Sequence, residues 1–193
     1  MAHLGAHVAL AGSALAIALA LAIPSAAALV RRPRARAAAQ AGIGALRVVP
    51  SLAVLTLALP YLGLGFRPAL LALVVLAIPP VAINTDAGLR SVPAPLVDAA
   101  RGMGMTAAQI RRQIEWPLAF SVVLTGVRTA AVEVIASATL ASFIGGGGLG
   151  DYIVDGLATN DARELLGGAA AVAALALAVD AGLGMLARRA RTA

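Results

Sequence analysis

His7-Val8-Ala9-Leu10-Ala11-Gly12-Ser13-Ala14-Leu15-Ala16-Ile17-Ala18-Leu19-Ala20-Leu21-Ala22-Ile23-Pro24-Ser25-Ala26-Ala27-Ala28-Leu29-Val30 runs without one Asp, Glu, Lys or Arg and stops at Arg31-Arg32-Pro33-Arg34-Ala35-Arg36. The hydrocarbon core of a bilayer asks for about 20 consecutive apolar residues per helix, and this run meets that requirement. A secretory signal would carry its basic residues ahead of a shorter apolar core, so the run reads as a membrane span. The whole chain agrees with its first segment. Of 193 residues, 61% are hydrophobic and 12% charged, with mean hydropathy +0.92. A soluble domain carries about 25% charged residues, and a soluble fold of this length could not hide so much apolar surface.

Four further spans follow by the same reading: about 41–62, 69–87, 118–144 and 165–187, making five in an all-α, polytopic chain. The turn Gly63-Leu64-Gly65-Phe66-Arg67-Pro68 separates the second from the third, and a polar loop of about 88–117 precedes the fourth. The Gly-rich, acidic segment 145–164 lies between the fourth and fifth. Residues 1–193 read as a single transmembrane domain. All 15 basic residues are Arg, and eleven of them fall in the 31–36 loop, the 88–117 loop and the C-terminus. The positive-inside rule therefore puts those three segments in the cytoplasm and the N-terminus outside. Arg at span ends is a topology signal and not a nucleic-acid footprint, which needs a solvated basic face. With no cysteine, disulfides and thiol chemistry are excluded.

The polar loop reads as two short helices. Pro95 suits a first helical turn, and Gly102 and Gly104 break the helix it begins. Thr106 and Gln109 form a capping-box pattern that starts a second helix. That helix sets Ile110 and Ile114 on one face beside Arg111 and Arg112, and Pro117 opens span four. A basic, amphipathic hairpin of this kind suits a groove on a partner protein or the lipid headgroup layer, and physics alone favours neither.

The same loop resembles the EAA signature of ABC importer permeases: Asp98-Ala99-Ala100, then Gly104, then Ile114-Glu115-Trp116-Pro117 after nine residues. Asp98 stands in place of Glu and Trp116 in place of Leu. The likeness extends to the glycine betaine, choline and carnitine (osmoprotectant) permeases through Ala100-Arg101-Gly102-Met103-Gly104-Met105-Thr106, Glu115-Trp116-Pro117-Leu118-Ala119, Gly126-Val127-Arg128-Thr129-Ala130 and Gly147-Gly148-Leu149-Gly150, and upstream through Val49-Pro50-Ser51-Leu52-Ala53 and Asn84-Thr85. Ser121 stands where these relatives often have a second proline. It implies a subunit of the bacterial plasma membrane that pairs with a second permease copy or paralogue. Cytosolic ATPase subunits would hold the ATP and Mg, and an extracytoplasmic binding protein would deliver solute. Ala99, Ala100 and Gly104 would set the docking geometry, with Asp98, Arg101, Arg111 and Arg112 as polar contacts. An importer for methionine or another small solute shares the same loop. An ion-coupled transporter working alone is the rival from another class. A membrane enzyme is disfavoured, because no catalytic constellation gathers on one face.

Other residues carry weaker signals. Gly145-Gly146-Gly147-Gly148-Leu149-Gly150 satisfies G-x-G-x-x-G, but it follows a span and not a strand, so it reads as a flexible span end and not a nucleotide site. Gly147, Gly148 and Gly150 are candidates for an outer gate or a receptor contact. Ionisable groups inside spans normally face a bundle interior or a wet path. Arg128 and Glu133 in span four therefore line the solute path or hold helix packing, and Asp180 reads as a partner of Arg188 and Arg189. Pro50, Pro60, Pro79 and Pro80, with Ser51, Asn84 and Thr85, mark spans two and three as pathway elements or as simple kinks. His3 and His7 read as interfacial, with no metal site. With one Trp, two Tyr and three Phe, no aromatic cage for a quaternary ammonium is evident.

Overall fold

The computed structural model describes residues 2–192, and side chains as far as Arg188. The described residues form nine α-helices: α1 Ala2–Leu29, α2 Pro33–Val48, α3 Ser51–Leu62, α4 Phe66–Arg90, α5 Ala94–Gly102, α6 Ala107–Ile110, α7 Trp116–Ser137, α8 Gly150–Ala158 and α9 Ala162–Thr192. A π turn, Arg111–Glu115, joins α6 to α7, and a 3-10 segment, Ala138–Ile144, prolongs α7. The fold is all-α and polytopic, with no strand among the described residues.

Helix α4 is the centre, packed between α1 and α7 with α3 also against it, while α9 packs on α7 and α8 on α9. Small side chains make this possible. Along α1 the buried positions Leu10, Ala14, Ala18, Ala22 and Ala26 recur every fourth residue, a single stripe down one face. In lipid no hydrophobic force joins helices, so close backbone approach supplies the attraction. The α4–α7 contact is closer still. A Cβ placed on Gly126 would lie 2.5 Å from the Asn84 Cβ and 2.6 Å from the Pro80 carbonyl oxygen.

Four helical segments are long and apolar enough to cross a membrane: Ala2–Leu29, Phe66–Arg90, Ala107–Ile144 and Ala162–Arg188. The expected second span, 41–62, is not one rod. It is the pair α2–α3, bent by 91° between them, and it makes a fifth crossing only if the two halves count together. The cause is Pro50, which bars its predecessor from the helical region; Val49 is extended at φ −73° and ψ 119°, and Pro50 at φ −62° and ψ 135°.

Polar contacts sort the loops to two ends. At one end the Arg31 guanidinium donates to Glu115 Oε1 at 2.7 Å, and Arg36 meets Asp86 at 3.4 Å. This places the 31–36 loop beside the base of the hairpin. At the other end His3 Nδ1 lies 2.9 Å from Asp151 Oδ2, and the Gly65 N–H donates to the Ile144 carbonyl at 2.8 Å.

Candidate functional site: the helical hairpin and the charged cavities

The hairpin is defined by two backbone devices. Helix α5 ends in a Schellman motif: the Met105 N–H donates to the Ala100 carbonyl at 3.1 Å and the Gly104 N–H to the Arg101 carbonyl at 2.9 Å. The motif needs a left-handed residue, and Gly104 supplies it at φ +82°. Helix α6 then begins in a full capping box, with the Thr106 N–H donating to Gln109 Oε1 at 2.8 Å and the Gln109 N–H to Thr106 Oγ1 at 3.3 Å. Ala100 and Ile110 are buried and Ile114 half-buried, closing the inner face. Asp98, Ala99, Arg101, Arg111 and Arg112 face outward, as does Met103 at 75% exposure. The 3.2 Å Asp98–Arg101 pair is well exposed on both sides and contributes little to stability. Arg111 and Arg112, with Ala107, Ala108 and Trp116, line an open groove of about 600 Å³.

Pro117 does not begin the span; the helix runs through it. From Ala107 to Ile144 the chain is one helical segment of 38 residues. Proline offers no N–H and its ring crowds the carbonyl four residues back. The preceding turn widens into the π form, where the Trp116 N–H bonds the Arg111 carbonyl. The second helix of the hairpin and span four are therefore one continuous helical segment.

The intramembrane candidates separate into distinct places. Ser51 and Glu133 line one cavity of about 200 Å³, together with Arg47. Asn84 is half-buried, donating to the Pro80 carbonyl at 2.9 Å, and sits against Gly126. Thr85 is fully buried, with its hydroxyl donating to the Val81 carbonyl at 2.8 Å, so it lines neither charged cavity. Arg128 is held by Asp180, Nε to Oδ1 at 3.0 Å and Nη2 to Oδ2 at 2.8 Å. That bidentate pair stands where a partnership of Asp180 with Arg188 is expected from the sequence; the other expected partner, Arg189, has a side chain outside the described residues. Two helices rich in small residues bring the charges together, for Gly184 lies against the Arg128 guanidinium. Arg128, Glu133 and Asp180 border a second, open cavity of about 620 Å³.

The Gly-rich segment turns sharply through several left-handed residues. Gly145, Gly147 and Gly148 have φ of +73°, +72° and +114°. A Cβ on Gly148 would sit 3.0 Å from His7 Nδ1, and one on Gly150 would collide with the Thr139 carbonyl and lie 2.6 Å from Ser142 Oγ. His7 is accordingly no interfacial residue: it is fully buried, with Nε2 3.0 Å from the Ile135 carbonyl oxygen. Sequence reasoning gives no role to Arg47 or Asp86. An unpartnered acid in span four and the arginines at 31–36 are the signals that each needs a counter-charge nearby. No cluster of three or more metal-ligating side chains occurs among the described residues.

A bundle of span-length helices bearing an exposed, backbone-fixed hairpin defines a polytopic membrane protein. Residues 12–192 match the family described as binding-protein-dependent transport system inner membrane component, and the chain belongs to that family. It is 47% identical over 144 residues to the carnitine transport permease protein OpuCB of Listeria monocytogenes, covering 75% of this chain and 66% of that one. It is 44% identical to the choline transport system permease protein OpuBB of Bacillus subtilis, covering 72% and 64%. It is also 44% identical to the osmoprotectant import permease protein OsmY of Salmonella typhimurium, covering 73% and 60%. The chain thus spans less than two thirds of the length of these relatives. In fold it is similar to the inward-facing MetNI methionine ABC transporter, with TM-score 0.85 at 20% identity over 96% of this chain and 93% of that one.

Proposed function

We propose that this chain is the membrane-spanning permease subunit of an ABC importer for a quaternary-amine osmoprotectant such as glycine betaine, choline or carnitine. The observation that carries the reading is 47% and 44% identity to permeases named for carnitine and choline, over most of the chain. In this reading α5 and α6 face the cytoplasm and seat in a cleft of an ATPase subunit. The N-terminus lies outside, and a second permease copy or paralogue completes the pathway. ATP and Mg bind the ATPase, so the chain itself is non-catalytic, and an extracytoplasmic binding protein presents the solute at the Gly-rich end.

The mechanics follow from this continuity. A pull on the hairpin passes into α7, because the chain is continuously helical from Ala107 to Ile144. That same segment carries Arg128 and Glu133, which line the cavities together with Arg47 and Asp180. ATP-driven motion of the cytoplasmic end therefore reshapes the space where solute passes.

Reconstitution in liposomes with the ATPase and binding protein tests the reading. Uptake of glycine betaine, choline or carnitine must require ATP hydrolysis and the binding protein. Uptake driven by a proton or sodium gradient in vesicles without ATPase, or ATP-driven uptake of methionine and none of the three amines, contradicts it.

A further inference from the structure

Glu133 and Arg47 stand apart from the ionic pairs of the bundle. Both line the 200 Å³ cavity that Ser51 also borders, and among the described residues neither makes an ion pair. Arg128 is already matched by Asp180, which leaves Glu133 as the free carboxylate where the two cavities meet. The lining includes further acceptors. Pro79 and Pro80 have no N–H, so the carbonyls of Val75 and Leu76 lose their helical donors, and both residues line the cavity. Such carbonyls are tolerated at membrane depth only against protein or a wet cavity.

The lining therefore offers acceptors, at Glu133 and the two carbonyls, and a guanidinium with its fork of donors. A quaternary ammonium has no N–H to donate and is held by charge and dipoles, which is what a carboxylate and bare carbonyls supply. A carboxylate at the far end of the same molecule finds Arg47 and the Ser51 hydroxyl. The size is also apt: a single water needs about 10–15 Å³ and drug-sized ligands about 300–1,000 Å³, so about 200 Å³ suits a small organic ion.

We propose that this cavity is a transient subsite for a small zwitterion in transit, its cationic end at Glu133 and the Val75 and Leu76 carbonyls, its anionic end at Arg47. This rests on the reading of the chain as a quaternary-amine permease. No aromatic ring lines the cavity, so the hold is weak and release is fast.

The chain has no cysteine, so a single Ser51→Cys substitution reports on the site without background from this subunit. The probes are the cationic trimethylammonioethyl and anionic sulfonatoethyl methanethiosulfonates, on the reconstituted transporter, with rates normalised to a free thiol. The charges of Glu133 and Arg47 both act on the introduced thiol, so removing either should shift the cationic-to-anionic rate ratio about tenfold, the scale of one nearby charge in a partly wet site. Glu133→Gln should lower the ratio and Arg47→Gln should raise it. Glycine betaine should protect the introduced thiol better than choline, and Arg47→Gln should remove that difference. A rate ratio that neither substitution moves, absence of protection by betaine, or no labelling by either reagent would each overturn the subsite. The two failures are separable. Wild-type protein that imports no quaternary amine removes the proposed function, whereas a rate ratio that neither substitution moves, with intact uptake, removes only the subsite.

Discussion

Gly126 shows how one residue sets the distance between two helices. Its missing side chain is the space that Asn84 and the Pro80 carbonyl occupy, so α7 meets α4 backbone to backbone. Gly126→Ala must push these groups apart and should destabilise the folded protein by about 1–3 kcal/mol, the usual penalty of overpacking. Gly12→Ala is the control, since nothing lies within 4 Å of its added Cβ, and it should leave stability nearly unchanged. Thermal unfolding in detergent compares the two; equal midpoints would show that the α4–α7 contact is not tight. Residues of this kind are only partly legible in a sequence. Glycine's permissiveness is visible, but which glycine meets a neighbour depends on packing between segments far apart in the chain. The burial of His7 is hidden for the same reason: its partner carbonyl, Ile135, is 128 residues away. Arg128 and Asp180, 52 residues apart, each announce the need for a partner, but nothing local says that they are partners of each other.

At the scale of elements, local signals are the most informative. The Thr106–Gln109 capping box and the α5 stop near Gly102 and Gly104 depend on residues a few positions apart, and the structure contains both. Gly104 is the sharpest case. A β-branched residue at φ +82° meets a left-handed penalty of at least about 1–2 kcal/mol, and the Schellman turn that orients α6 is lost with it. Gly104→Val should abolish solute uptake while the protein still reaches the membrane in normal amount. Normal uptake by the variant would remove the hairpin from the coupling mechanism. The bend at Pro50 is written in the sequence but outvoted by apolar length, because a hydropathy window cannot distinguish one rod from two half-rods. The π turn has no sequence signal beyond Pro117 itself. Its geometry depends on how the chain resolves a missing N–H, by widening a turn or by breaking the helix.

Across the whole molecule, the sorting of charge and the sorting of contacts agree. The arginine-rich 31–36 loop and the hairpin base meet through Arg31 and Glu115, while the N-terminus meets Asp151 at the opposite end. A bilayer explains both, since helices of span length must return their loops to alternate sides and arginine accumulates on one of them. Which end faces the cytoplasm is a prediction of charge alone, and the proposed motor attachment depends on it. Met103, 75% exposed at the tip of the hairpin, is the position at which to measure it. In a chain without native cysteine, Met103→Cys in the complete transporter should cross-link to the ATPase subunit and react with impermeant thiol reagents only from the cytoplasmic face. Labelling of that introduced thiol from the outer face, or an intact, ATP-hydrolysing complex that yields no such cross-link, would contradict the account at its centre.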